Sequence, residues 1–261
     1  MLKAPRKPKQ SLGQNFLIDQ NVARNIVNAL DLRETDHVLE IGPGLGILTV
    51  LIQPTVKSLI AVEIDKNLSV VLKKNLGDRE NFTLIETDFL KIDLSEFKDR
   101  MPLRIIGNIP YHITSPILFK VLKERQGIRD MTLLIQKEVA DRIVASPDCK
   151  EYGILSVMSR AYADVEILLR VPRTVFSPSP KVDSALVRWR FTDERSRNIQ
   201  DEEHFRKIVR QAFGQRRKML RNSLKDVLPT DRQVSIDLEK RPEHLTIEQW
   251  IELANELLQK E

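Results

Sequence analysis

Asn108-Ile109-Pro110-Tyr111 is where this chain gathers residues that could do chemistry on a flat, amine-bearing ring. An amide oxygen accepts a hydrogen bond from an exocyclic amine, a proline stiffens the backbone and an aromatic ring stacks on a base. A second group lies upstream in Glu40-Ile41-Gly42-Pro43-Gly44-Leu45-Gly46. Glycines between a strand and a helix let the backbone approach a ligand closely. Ile47 stands where the dinucleotide fingerprint needs its third glycine, and no Gly-Lys-Ser/Thr follows, so neither a dinucleotide loop nor a Walker loop is present. By itself the loop is equally a tight turn.

Two acids narrow the choice. Glu63 closes a strand pattern, where a carboxylate can accept both hydroxyls of a ribose. Asp88, after the next strand, can accept from an adenine amine while Phe89 or Ile64 packs near the ring. Asp65, beside Glu63, reads as a helix cap. Gly42, Gly44, Glu63 and Asp88 thus fall at successive strand ends and suit an adenosine-bearing cofactor without a pyrophosphate. S-adenosyl-L-methionine has those properties.

The elements that must position these residues follow from the pattern. Short apolar runs at His37–Ile41, Ser58–Val62, Phe82–Glu86, Leu103–Gly107 and Met131–Gln136 predict strands. Helical spacing at Leu48–Gln53, Lys66–Leu76, Ser115–Leu122 and Lys137–Ala145 fills the gaps. Such alternation predicts an α/β fold, a mostly parallel sheet with helices on both faces. Val165–Val171 and Ser184–Phe191, joined by the proline-laden loop Pro172 to Pro180, are expected as antiparallel strands at its edge. From about Thr192 no strand pattern recurs. Glu202–Phe213, Arg217–Val227 and Ile247–Leu258 predict a small all-helical domain, with Thr246 placed to cap the last helix. The expected division is a catalytic domain over 1–191 with a basic N-terminal arm, then a helical domain over 192–261.

Composition agrees with a globular protein: 41% hydrophobic and 30% charged residues leave no apolar run near the roughly 20 residues of a membrane span. No signal-peptide core is expected at the N-terminus, and the expected compartment is the cytoplasm. Cys149 is the single cysteine, which excludes an internal disulfide, and the scattered His37, His112, His204 and His244 give no zinc pattern, so no metal is expected. The net charge of +5 is unevenly spread. Met1 to Ile18 carries Lys3, Arg6, Lys7 and Lys9 without an acid, and His204 to Lys225 carries Arg206, Lys207, Arg210, Arg216, Arg217, Lys218, Arg221 and Lys225, again without an acid. Clustered cations of this kind suit a polyphosphate backbone, although a solvated basic face would look the same.

Gln14-Asn15-Phe16-Leu17, the glycine loop, Asn108–Tyr111 and Phe176-Ser-Pro-Ser-Pro-Lys-Val-Asp-Ser184 occur in that order, and together they resemble the ribosomal RNA adenine dimethyltransferases, most closely the bacterial small-subunit enzymes. The resemblance implies a Rossmann-like methyltransferase fold and transfer of methyl groups from S-adenosylmethionine to the exocyclic amines of two adjacent adenosines in the 3′-terminal hairpin loop of small-subunit rRNA. It implies a cofactor pocket of Asn15, Leu17, the loop at Gly42, Glu63, Asp88 and Asn108. The amine would be held by the Asn108 side chain and the Ile109 carbonyl, with Pro110 fixing the backbone. Tyr111 would stack on one face of the base and Phe176 on the other, unless Phe176 is core packing. Lys181 and the cations of the helical domain would contact RNA, His112 is read as a packing residue rather than a base, and the partner would be an immature small subunit bound by a monomer. Three rivals stand beside this reading: a resistance-type enzyme acting on large-subunit rRNA, a non-catalytic RNA-binding assembly factor, and an NAD-dependent dehydrogenase, which the glycine spacing and the lack of an acid/base pair for hydride transfer disfavour.

Overall fold

The computed structural model describes residues 14–77, 79–228 and 234–258. The expected basic arm at Lys3, Arg6, Lys7 and Lys9 lies outside them. In chain order the elements are β1 (Phe16–Leu17), α1 (Gln20–Ala29), β2 (His37–Ile41), α2 (Thr49–Ile52), β3 (Ser58–Glu63), α3 (Lys66–Leu76), β4 (Phe82–Glu86), β5 (Leu103–Asn108), α4 (Thr114–Lys123), β6 (Ile128–Gln136), α5 (Lys137–Val144), α6 (Ile154–Tyr162), β7 (Ala163–Val171), β8 (Phe176–Ser177), β9 (Ser184–Phe191), α7 (Asp193–Ser196), α8 (Glu202–Gly214), α9 (Leu220–Ser223) and α10 (Ile247–Leu258).

Seven strands form one sheet in the order β4-β3-β2-β5-β6-β9-β7. β2 pairs in parallel with β3 on one side and β5 on the other. β4 extends the parallel run beyond β3 and β6 extends it beyond β5. β9 returns antiparallel to β6, and β7 takes the edge, as the sequence pattern expects. This is a Rossmann-like sheet. Val38 to Ile41 are all buried, the mark of a strand covered on both faces. The helices start where short polar side chains can occupy orphan backbone donors. Asp19 accepts from the Asn21 and Val22 amides at 2.8 and 3.0 Å, and Asp65 from Asn67 at 3.0 Å. Thr246 and Gln249 exchange side-chain and backbone bonds at the start of α10, a reciprocal cap.

The chain divides into two compact units, 1–140 with 166–190, and 141–165 with 191–261. The second therefore includes α6, which no sequence pattern above announces. Inside it the Tyr162 ring meets Phe205 edge-on at 6.4 Å, and Phe213 lies 5.5 Å from Trp250, tying α6, α8 and α10 together. One expected helix is corrected. Arg217–Val227 is not continuous; only Leu220–Ser223 is α-helical, because the Leu220 and Arg221 amides donate to the Lys240 and Leu238 carbonyls rather than into a preceding turn.

Near the N-terminal ends of β5 and β6 the first unit buries a charge cluster. Arg104 donates from Nε and Nη2 to Asp130 at 3.0 and 2.8 Å, and from Nη1 to Asp36 at 2.7 Å. Its remaining hydrogens reach the Asp31 and Leu30 carbonyls at 2.9 and 2.6 Å. Burial works against the Asp36 charge, but the Arg104 bond, the Arg33 amide and the charges of Arg104 and Arg129 outweigh it and hold the carboxyl below its ordinary value. Because its folded-state value lies below that of the unfolded chain, Asp36 contributes stability above the usual carboxylate range and loses it as pH falls through the depressed value. Arg104→Met takes the cation from buried Asp130 and leaves Asp36 with Arg129 alone, at 3.2 Å, and is expected to cost about 3–5 kcal/mol in urea unfolding at neutral pH. The deficit should shrink in acid, where Asp36 protonates.

Candidate active site

The C-terminal ends of β4, β3, β2 and β5 stand side by side, and the sheet order reverses between β3 and β5 around β2. A crevice at such a switch point is where open α/β sheets bind ligands. A cavity of about 290 Å³ occupies it. Its lining includes Asn15, Leu17, Glu40, Gly42, Gly44, Glu63, Ile64, Asp88, Phe89, Asn108, Ile109, Pro110 and His112. The sequence-predicted cofactor residues are thereby brought together.

The glycine loop is shaped by its backbone. Gly42 and Gly44 have φ of +63° and +60°, a region that side chains with a Cβ avoid. A Cβ on Gly44 would also sit 3.2 Å from the Phe16 ring, which packs with Leu45 and Leu68 under the loop. The loop is held to β3 twice. Gly42 donates to the Val62 carbonyl at 2.9 Å, and Gly44 donates to Glu63 Oε2 at 3.1 Å. Glu63 Oε1 accepts from the Asp65 amide at 2.9 Å. Burial raises the Glu63 carboxyl above its ordinary value, and these two amides oppose the rise. Each Glu63 oxygen retains a second lone pair for a ligand hydroxyl. Asp65 is a helix cap, as its position suggests.

Just beyond β4, Asp88 Oδ1 accepts from the Leu90 amide at 3.0 Å. Ile64 leaves 54% of its surface exposed, an apolar wall that a planar ring would cover. Across the crevice, Asn108 Nδ2 donates to the Asn15 carbonyl at 3.3 Å, and Oδ1 accepts nothing among the described residues. Gly107, just before it, admits no side chain: a Cβ would come within 3.0 Å of the Ile41 carbonyl oxygen and of Ile109. Pro110 is extended (φ −57°, ψ 133°) and its carbonyl accepts from Ile113 at 3.1 Å, closing a short turn over Tyr111–Ile113. The Tyr111 ring is outside the cavity lining, half-buried, with its hydroxyl 2.8 Å from Ser184 Oγ. Burial pushes its phenol up, so the hydroxyl stays neutral.

Phe176 requires a correction. Its side chain is 4% exposed, within the core cluster that holds Leu17, Val171 and Leu186, and it does not line the cavity. Pairing of Phe176 with Leu17 in the β1–β8 ladder turns the ring inward, where it supports the segment carrying Asn15. Lys181 is exposed on the following loop, its carbonyl accepting from Arg173 Nη1 at 3.1 Å. In the second unit Lys207, Arg210, Arg217 and Lys218 are exposed. Arg206 Nε is used within its own helix, on the Glu202 carbonyl at 3.2 Å. Arg216 donates to the Cys149 carbonyl and lies 3.6 Å from Glu243, and Arg221 pairs with Glu239.

One residue of the site went without a role in the sequence reading. Glu40 lines the cavity at 2% exposure. The signal was available: an acid inside an otherwise apolar strand pattern, His37-Val38-Leu39-Glu40-Ile41. Among the described lining residues there are three carboxyl groups, Glu40, Glu63 and Asp88, one histidine, His112, and no Lys or Arg. A cavity lined by acids and without a Lys or Arg among its described residues suits a cationic ligand and not a polyphosphate.

The Ribosomal RNA adenine dimethylase sequence profile matches residues 6–259. The chain belongs to that family. It is 49% identical over 249 residues to the Ribosomal RNA small subunit methyltransferase A of Chlorobium phaeobacteroides, covering 95% of this chain and 93% of that one. It is 42% identical to the protein of the same name from Alkaliphilus oremlandii, over 97% of this chain and 93% of the other. Among solved structures it superposes on a dimethyladenosine transferase from Plasmodium falciparum with TM-score 0.80 at 26% identity, over 93% of this chain and 97% of that one. The 23S rRNA methyltransferase ErmE gives TM-score 0.71 at 28% identity, over 94% and 100%. The chain is thus an rRNA adenine dimethylase family enzyme that uses a methyl donor of the S-adenosylmethionine type.

Gly44→Ala forces a Cβ into the left-handed region and against Phe16. It is expected to cost about 1–3 kcal/mol in thermal unfolding and to weaken S-adenosylhomocysteine binding measured by calorimetry.

Proposed function

We propose that the enzyme dimethylates two adjacent adenosines in the 3′-terminal hairpin loop of small-subunit (16S) rRNA, acting as a monomer on an immature small subunit in the cytoplasm, with S-adenosyl-L-methionine as donor. The observation that carries the chemistry is the Asn108 side chain, held through its nitrogen by Asn15 and presenting a vacant oxygen at the cavity. Its small-subunit choice rests on the curated relatives, which share up to 49% identity and a small-subunit name. No helix among the described residues is long and apolar enough to cross a membrane.

When bound, the donor supplies an electrophilic methyl group. Glu63 would hold its ribose hydroxyls, Asp88 its adenine amine against Ile64, and Asn15 with the glycine loop its amino-acid end. The target amine is a poor nucleophile because its lone pair is delocalised into the ring. Asn108 Oδ1 and the Ile109 carbonyl, accepting its two protons, would favour a pyramidal nitrogen and aim its lone pair. Pro110 keeps the two acceptors convergent. Catalysis by this route is positioning and electrostatics. The methylated amine is a strong enough acid to lose its proton to water. Tyr111, tethered by Ser184, would offer the stacking face for a base taken out of its stack. Lys181 and the exposed cations of the second unit would meet RNA phosphates. Phosphate can displace Glu239 from Arg221 cheaply, since exposed ion pairs contribute little.

Purified small subunits lacking the modification should become labelled at two adjacent adenosines, read by nucleoside mass spectrometry, while large subunits should not; labelling confined to large subunits rejects the reading. Asn108→Ala should lower kcat about a hundredfold or more with RNA binding unchanged. Lys207→Ala or Arg217→Ala should instead weaken RNA binding and flatten its salt dependence.

A further inference from the structure

Glu40 is the residue of the site whose chemistry remains unused. It sits on β2, flanked in register by Ala61 of β3 and Ile106 of β5, neither of which can pair with it. Its Oε2 is buried and has no hydrogen-bond partner among the described residues. The cavity it lines also presents Glu63 from β3 and Asp88 from beyond β4, with His112 beyond β5. No Lys or Arg among the described lining residues offsets these acids. A buried carboxylate with no partner is too costly to keep ionised, so the group neutralises instead. In keeping with this, burial raises its carboxyl to about 7; the adjacent Thr49 hydroxyl opposes the rise, though its geometry falls short of a hydrogen bond, and the Glu63 charge adds to it.

We propose that Glu40 is a proton-linked counter-charge: neutral in the free enzyme, it gives its proton to solvent when the positively charged donor enters, and its carboxylate then faces the added charge. The O–H bond of the carboxyl breaks, its electrons stay on Glu40, and a buffer base takes the proton. The inference rests on the donor proposed above. It goes beyond that reading by making donor affinity depend on pH through one group that touches neither RNA nor the target amine. Affinity should rise with pH, by about tenfold per unit well below pH 7, and level off above it.

Calorimetric titration of the enzyme with S-adenosylmethionine, in buffers of different ionisation enthalpy, tests this. Near pH 6.5 the observed heat should vary with the buffer and give release of up to one proton per site, falling away by about pH 8.5. Glu40→Gln should abolish the release, whereas Glu63→Gln should bind more weakly but still release. If Glu40→Gln does not fold, infrared difference spectra of the native enzyme still decide, since donor binding should remove a protonated carboxyl band. Heats independent of buffer, an unchanged carboxyl band, or release that survives Glu40→Gln would each overturn the proposal. Absence of any binding heat, with no methyl transfer, would instead overturn the donor assignment.

Discussion

Everything at this site depends on β2 being paired in parallel on both sides. Parallel neighbours end in the same direction, so β3 and β5 deliver their following residues to the same rim as the glycine loop. Glu63 ends β3, Asn108 ends β5 and Gly42 follows β2, and the crossovers between them need not be specified further for the three to meet. The register matters as much as the order. Ile41 lies opposite Val62 and Gly107, so Glu63 and Asn108 both fall one position beyond the end of β2. A slip of one residue in either pairing would turn Glu63 or Asn108 into the packed face of the sheet.

The two ends of the parallel strands treat polar groups in opposite ways. Near the N-terminal ends, Arg104 spends every donor on Asp36, Asp130 and two carbonyls, and its buried charge is answered from several sides. Such a saturated cluster fixes register without leaving capacity for a ligand. At the C-terminal rim the buried Glu40 Oε2 and the half-buried Asn108 Oδ1 accept no hydrogen bond among the described residues. Buried polar groups are ordinarily bonded, so a vacant acid in the wall of a ligand-sized cavity suits an incoming group.

Much of this was legible in the sequence because local signals and global fold agree. The strands at His37–Ile41 and Phe82–Glu86 come out with the expected bounds, since short apolar runs between turn residues leave little choice. Glu63, Asp88 and Asn108 could be read because each stands at the end of such a run. Phe176 could not be placed, since an aromatic in a stiff loop fits a stacking surface and a core equally, and only its pairing with Leu17 decides. Helix α6 was hidden because Ile154, Val157, Met158 and Ala161 make only a short apolar face, and its packing lies with helices far along the chain. The helix expected over Arg217–Val227 had the right spacing, but long-range backbone bonds from Leu220 and Arg221 prevailed over local propensity. Glu40 was visible as an anomaly, yet the period-two pattern cannot say whether a buried acid faces a partner or a void.

The choice of an amide at position 108 follows from the same electrostatics. The cavity already holds Glu40, Glu63 and Asp88 without a Lys or Arg among the described lining residues. An aspartate at 108 would present the same acceptor oxygen, but as a fourth carboxyl group in a partly buried space. Its neighbours would resist its ionisation, and when protonated it would no longer be a pure acceptor. Asparagine avoids both outcomes. Its oxygen accepts at any pH, and its nitrogen supplies the donor that Asn15 needs, so one side chain joins the N-terminal segment to β5 and fixes the direction in which its own oxygen points. The neutral acceptor on one wall and the titratable acid on the other thus divide the work: Asn108 is suited to a neutral amine that arrives with RNA, and Glu40 to the charge that arrives with the donor.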